Sequence, residues 1–374
     1  MTRSHRLFSL VLLVSAGLLL SSCDSSDPDD GGPDMPEPGF DRAAMLENIG
    51  QNVITPAYAA LEQATAALST AADGFAAAPS ASTLDAAQAA LKDARMAWQA
   101  ANLFQFGPAE SAVLRGSLNT YPADTDRIEA NISEGGYVLG TVANQAAGGF
   151  PTLGYLLHSG TDEDVVALFS TDALATPRAQ YLADNVAFVR ANVNNVANQW
   201  RATYLNTFLS PDQAGVDVGS SVGQLTNAMV LHYERFLRDG KIGIPAGVRS
   251  AGIPRPLLVE ALYAGYSVEL AVANVEAMRR LFKGISADGA DGLGYDDYLV
   301  SLDNQALSED IDGAFVNIVT SLQGLNDPLP KQIEDDPQLV NDTFVAMQQL
   351  VALLKADLTS VLGVTITFQD TDGD

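Results

Sequence analysis

Residues Ser82–Trp98 read STLDAAQAALKDARMAW. The apolar positions Leu84, Ala87, Leu91, Ala94 and Trp98 recur at steps of three and four, which keeps one stripe on one face of an α-helix. A half-buried strand would instead alternate every second residue. Ser82, followed by Asp85, is expected to cap the start of this helix. The same rhythm returns along the chain. Leu182, Val186, Val189, Val193, Val196 and Trp200 form a second stripe, and Val340, Phe344, Met347, Val351, Leu354, Leu358 and Val361 a third, closed by Gly363 at a C-cap position. Such stripes bury their faces by packing helix against helix, so the spacing predicts an all-α protein made of helical bundles.

Strand signals are nearly absent, the best being Val364-Thr365-Ile366-Thr367-Phe368. Glycine and proline punctuate the helices at Gly148-Gly149, at Ser210-Pro211-Asp212, along Ile242-Gly243-Ile244-Pro245-Ala246-Gly247, and between Ala287 and Gly292. These breaks suggest two packed bundle domains, 41–210 and 211–370, that together make one region over 41–370.

Ahead of them, Arg3, His5 and Arg6 precede an apolar run from Leu7 to Leu20 and then Ser21, Ser22 and Cys23. Residues 1–22 have the build of a secretory signal peptide, too short and wrongly flanked for a membrane-spanning helix. Leu20-Ser21-Ser22-Cys23 resembles the lipobox of bacterial lipoproteins, in which the cysteine carries lipid. The expected anchor is therefore Cys23, and the expected location is the bacterial cell envelope, on the periplasmic face or the outer surface. Residues 23–40, rich in Asp, Pro and Gly and without apolar periodicity, read as a disordered acidic tether.

Composition excludes whole classes of chemistry. With 46 acidic against 20 basic residues the formal charge is −26, a surface that repels nucleic acid and anionic lipid heads. The acidity fits either life in high salt or an ordinary acidic envelope protein. Cys23 is the only cysteine, so neither a disulfide, a zinc-thiolate centre nor a cysteine nucleophile is available to the folded part. Beyond the signal peptide only His158 and His232 remain, so a metal site would need carboxylates. There is no glycine-rich phosphate loop after a strand and no nucleophilic serine elbow. The acidic stretches Asp288 to Asp297 and Asp370 to Asp374 lack the alternate spacing of a calcium loop closed by glutamate, and are expected to be solvated loops.

Several short stretches, in order, carry a family resemblance: Val53-Ile54-Thr55-Pro56-Ala57-Tyr58, Ala94-Arg95-Met96-Ala97-Trp98, Phe106-Gly107-Pro108-Ala109-Glu110, Tyr121-Pro122, Lys241 to Gly247, Gly292 to Leu299, and the ending from Leu362 to Asp370. Together they resemble the imelysin-like family over roughly residues 42 to 370. The resemblance implies two helical bundles exported to the bacterial envelope, in a family that includes metallopeptidases and proteins accompanying iron uptake. Its hallmark is a Gly-x-His-x-x-Glu motif, whose His and Glu lie three apart on one helix face and can reach a single cation. Gly149-Phe150-Pro151-Thr152-Leu153-Gly154 falls at that place. Gly149 keeps the first position, but Pro151 stands for the His and Gly154 for the Glu. Neither offers a ligand atom or a carboxylate base.

The expectation is a non-catalytic homologue that binds a small ligand or an iron-uptake partner at an interdomain cleft. No cofactor is implied, and iron or zinc would require a rebuilt site. Glu110 and His158 are the candidate cleft residues for such a rebuilding. The bland readings are a cap or salt bridge for Glu110 and a solvated helix-end cap for His158. His232 and Glu234, two apart, should face different ways, which leaves His232 as a surface or satisfied core histidine.

Overall fold

The computed structural model describes residues 39–368. The signal peptide, Cys23, most of the tether and Asp370 to Asp374 lie outside the described residues. Eight helices build the framework. They are α1 (residues 42–77), α2 (Ala81–Ala101), α3 (Gly149–His158), α4 (residues 175–208), α5 (residues 221–246), α6 (Ser267–Phe282), α7 (Gln305–Gln323) and α8 (residues 337–362). Only residues 78–80 separate α1 from α2, which makes the two antiparallel neighbours. Helix α4 packs on α1, and α3 lies against both α2 and α4. In the second half α6 packs on α7, α7 on α8, and α8 on α5. Helix α2 meets α6 and so joins the halves. Among the described residues there is no β-strand.

The stripes read from sequence are the faces that pack. Leu84, Ala87, Leu91, Ala94 and Trp98 are wholly buried, as are Leu182, Val189, Val193 and Val196. Each aliphatic side chain removed from water contributes about 2 kcal/mol. One continuous core runs from Leu84, Trp98 and Val189 to Met278, Phe315 and Met347. The start of α1 also reaches the second half. Arg42 donates from Nη1 to the Tyr298 hydroxyl (3.0 Å) and from Nε to the Ala214 carbonyl (2.6 Å), while Phe40 stacks on Tyr298 with centroids 4.7 Å apart.

Helices α1, α4, α5 and α8 each contain a π-helical stretch: Ile49–Ile54, Trp200–Tyr204, His232–Gly243 and Leu353–Leu358. The first two sit at an aromatic knot. Trp200 Nε1 donates to Thr55 Oγ1 at 2.9 Å, and its ring lies 5.9 Å from that of Tyr58 and 6.0 Å from that of Phe106. Gly107, at φ 54°, passes so close to the Tyr204 ring that a Cβ would approach its Cζ to 2.3 Å. This close approach sets the direction in which the chain leaves Phe106 toward Glu110 and Arg115.

One local expectation needs correction, and two others are sharpened. Helix α2 is capped by Ser80 rather than Ser82: Thr83 N donates to Ser80 Oγ and Ser80 N donates to Thr83 Oγ1 at 3.0 Å, so the box closes two residues earlier. The glycine-proline run after Ile242 breaks the helix only at Gly247, which takes the left-handed conformation (φ 92°); Pro245 is accommodated near the end of α5. Val364 to Phe368 forms no strand, and one side chain supplies its pairing. Asn227 donates from Nδ2 to the Thr365 carbonyl (3.0 Å) and accepts from the Thr367 amide (2.9 Å). The stop of α8 at Gly363, φ 69°, is as expected.

Candidate functional site

Helix α3 begins at the lapsed motif, and its first six residues are all buried. Gly149 has φ 81°, and a Cβ there would come within 2.4 Å of the Leu118 carbonyl oxygen. Backbone sterics alone therefore require a glycine at this position. Pro151 sits in the first helical turn, where a missing N–H costs no helix bond. Gly154 faces Arg95 of α2, whose Nη1 lies 3.4 Å from where a Cβ would be. A guanidinium therefore occupies the ground that a side chain at 154 would enter. Pro151, Gly154, Arg95, Tyr121, Glu260 and Tyr263 enclose a space of only about 10 Å³.

Tyr121 and Pro122 form a wall shared with a much larger cavity, about 720 Å³, which is the size of a small-molecule site. This cavity is lined by Asn102, Gln105, Glu110, Arg115, Asn119, Arg235, Phe236 and Lys241, with Val113, Ile244 and Leu258 among its apolar contacts. Glu110 lines it as an exposed residue. His158 does not line it.

Behind the cavity a buried polar chain links five segments. Lys241, 4 % exposed, pairs with Glu260, 2 % exposed, and donates to Gln99 Oε1 at 2.8 Å. Glu260 Oε1 also accepts from Gln99 Nε2 (3.0 Å) and Asn119 Nδ2 (2.9 Å). Arg95, 1 % exposed, donates from Nη2 to the Glu260 main-chain oxygen at 2.5 Å. Asn274 Nδ2 donates to the Gln99 carbonyl (2.6 Å), and the Asn274 amide oxygen lies 2.7 Å from His232 Nε2. His232 Nδ1 lies 2.9 Å from Arg115 Nη2, which also donates to the Asn102 carbonyl.

These partners fix the state of each group. A guanidinium can only donate, so Nδ1 of His232 accepts and the proton sits on Nε2, pointing at Asn274. Burial, followed by the nearby Arg115, holds the His232 pKa well below its ordinary 6.5, so the ring is neutral. Its one lone pair is already used, which removes it as a metal ligand. Burial works to raise the Glu260 pKa, but Lys241 and Arg95 together hold it below the carboxylate range. Burial lowers the Lys241 pKa; Glu260 opposes this, while Arg95 and Arg115 add to it. Both partners shift downward because burial and the two guanidiniums act against the Lys241 charge, while Lys241 and Arg95 favour the Glu260 charge.

The π stretch of α5 produces this geometry. Its i→i+5 register puts residues four and five apart on one side, so His232, Phe236 and Lys241 face the cavity region together. Glu234 points elsewhere, to Lys355 at 3.1 Å. His232 and Glu234 do diverge as expected, and His232 is a satisfied core histidine.

His158 departs from the solvated-cap expectation. Its ring meets Tyr266 edge-on at 6.5 Å, and its Nε2 is buried without a partner among the described residues. Desolvation first, then Arg95, lowers its pKa to about 4. Among the described residues no three of His, Cys, Asp and Glu gather closely enough to hold a metal ion. The Asp288 to Asp297 stretch divides into separate local contacts: Asp288 with Ser286, Asp296 with Lys283 at 3.0 Å, and Asp297 with the Gly294 amide at 2.9 Å. Sequence reasoning does not assign Arg95, Arg115, Lys241 or Glu260 to a site, although Arg95 and Lys241 lie inside stretches that carry the family resemblance.

Comparison with known proteins places the whole arrangement. The imelysin family model matches residues 54–356. The chain belongs to the imelysin family. A curated relative, iron-regulated protein A of Synechococcus elongatus, is 32% identical over 79 residues, 21% of this chain and 22% of that protein. The chain thus aligns with only about a fifth of that relative's length. Two solved structures share the imelysin fold over 87% of this chain and 97% of theirs. One is described as a putative iron-regulated protein A precursor from Parabacteroides distasonis ATCC 8503, with a TM-score of 0.74 at 19% identity. The other is an imelysin-like protein from Psychrobacter arcticum 273-4, with a TM-score of 0.69 at 18% identity.

Proposed function

We propose that this imelysin-family chain is a non-catalytic, ligand-binding protein of the bacterial cell envelope, anchored by lipid on Cys23 and linked to iron acquisition. The observation that carries the ligand-binding reading is the 720 Å³ cavity, which shares a wall with the lapsed motif. The motif supplies no metal ligand, and Arg95 faces the position from which a glutamate would have reached one. A guanidinium there repels a divalent cation and leaves no group to activate water. The iron link is supported by what the relatives are called, and Cys23 by the lipobox spelling.

Zinc titration of the purified mature protein, with a peptide-cleavage assay alongside, tests the non-catalytic reading. The wild type is expected to show neither tight zinc binding nor zinc-dependent cleavage. The variant Pro151→His/Gly154→Glu is expected to remain without tight zinc, because the introduced carboxylate meets Arg95 first. Tight zinc binding by the wild type that disappears in Glu110→Ala or His158→Ala would instead restore the metallopeptidase reading. Anchoring has its own check: the wild type should partition into detergent and Cys23→Ser into the aqueous phase. An unmodified amino terminus by mass spectrometry contradicts the anchor.

A further inference from the structure

The charge around the cavity does not balance. Arg95 donates to a main-chain oxygen, its Nε has no partner among the described residues, and it rests on the Tyr266 ring at 5.5 Å. Arg115 is held by Asn102 and the neutral His232, and lies 3.6 Å from the centroid of the Phe236 ring. Neither guanidinium forms an ion pair with a carboxylate of the described residues. The one buried carboxylate of this cluster, Glu260, is claimed by Lys241. Desolvation works against the charge on Arg115 and Lys241 alike. Buried cations without counter-ions cost several kcal/mol, and a chain with formal charge −26 has no shortage of carboxylates to place beside them. Arg115 lines the cavity without a carboxylate partner, and Arg95 lies behind the Tyr121 wall with its own charge unmatched, which is the excess of positive charge an anion-binding site requires.

The cavity also has an apolar side, formed by Phe236, Leu258, Ile244 and Val113. Val113 is unusual in itself. It is a β-branched residue in the left-handed conformation (φ 49°), 65 % exposed, on the cavity wall between Glu110 and Arg115. Such a conformation is costly for valine and would be relieved by Asn or Asp, so this position holds an apolar group at the expense of its backbone.

We infer that the 720 Å³ cavity is a binding site for a small organic carboxylate with an apolar body, the carboxylate meeting Arg115 and the body lying against Phe236, Leu258 and Val113. The inference rests on the ligand-binding reading above and narrows it to one chemical class. Asn102 and His232 take the Nε and Nη2 hydrogens of Arg115 and hold the guanidinium in place, leaving Nη1 to donate to the carboxylate, so little order has to be created on binding. Apolar contact then separates such a ligand from inorganic anions.

The test uses the mature protein, with benzoate as probe and benzylamine, benzyl alcohol and inorganic phosphate as its counterparts, read by isothermal titration and by the shift in melting temperature. Benzoate is expected to bind saturably, and the other three at least about tenfold more weakly. Val113→Asp places a carboxylate at the cavity wall in a conformation Asp accepts, so the fold is kept while benzoate affinity falls about tenfold. Val113→Asn, equal in shape to Asp but neutral, loses the apolar contact alone and should bind benzoate more weakly than the wild type but several-fold more tightly than Val113→Asp. Benzylamine binding as tightly as benzoate, equal affinities in the two Val113 variants, or no benzoate binding at all overturns the carboxylate assignment. Phosphate matching benzoate overturns the apolar part. Benzyl alcohol or benzylamine saturating the cavity in place of benzoate would leave the non-catalytic, ligand-binding reading standing, whereas zinc-dependent cleavage would remove that reading itself.

Discussion

Glu260→Gln is expected to destabilise the protein by about 3–5 kcal/mol, the usual cost of removing one partner from a buried ion pair. The substitution keeps the shape of the side chain, deletes its charge and turns one of its two accepting oxygens into a donor. Lys241, 4 % exposed, would then share a dry site with Arg95 and Arg115 and no anion. The double variant Glu260→Gln/Lys241→Met should recover part of that loss, because the methionine fills similar volume without a charge. Denaturant melts of the two single variants and the double one give the coupling energy directly. A Glu260→Gln protein that melts with the wild type would mean that the cations are already neutralised by other means, and the charge count around the cavity would be wrong.

Acid should weaken the fold through His158 and His232. Both His232 and His158 have folded pKa values depressed below 6.5, the latter to about 4. In the unfolded chain each takes up a proton as pH falls through about 6.5; in the folded chain neither does until the pH is much lower. The stability present above pH 6.5 is therefore lost as pH drops toward 4, at up to about 1.4 kcal/mol per pH unit for each histidine. Carboxylate titration overlaps the lower part of this window, so the informative quantity is a difference. His158→Gln should lose less stability between about pH 7 and pH 5 than the wild type. Equal slopes would show that His158 protonates freely in the folded state, and that its ring is not desolvated.

The stretch Gly149 to Gly154 illustrates how sequence and structure divide the explanation. That Pro151 and Gly154 offer no ligand atom is visible in the letters. That the Leu118 carbonyl leaves no room for a Cβ at Gly149, and that Arg95 faces Gly154, is not. Glu110 does line the main cavity, but that cavity does not include Pro151 or Gly154. Helical spacing puts His158 on the right helix. Its environment, against Tyr266 and near Arg95, comes from segments more than sixty residues away in either direction.

By itself the sequence determined that the protein is helical, which face of α2, α4 and α8 is buried, and where α8 stops. Those are local matters, because a repeat of three and four residues and a glycine able to take positive φ act within one helix. The stretches carrying the family resemblance also run through the site without disclosing what they do there, among them Arg95 on α2, Phe106 to Glu110, Tyr121-Pro122 and Lys241 on α5. Only the tertiary structure decided that Arg95, Arg115, Lys241 and Glu260 share one cluster, since they lie as much as 165 residues apart in chain order and no periodicity links them. It also decided the direction of His232, Phe236 and Lys241. The π register of α5 that aligns them is stabilised by packing and leaves no mark in a pattern read at 3.6 residues per turn. Charge balance, finally, is a property of the assembled interior: a chain with a large excess of acid encloses a cationic cavity because burial selects which few of its charges meet.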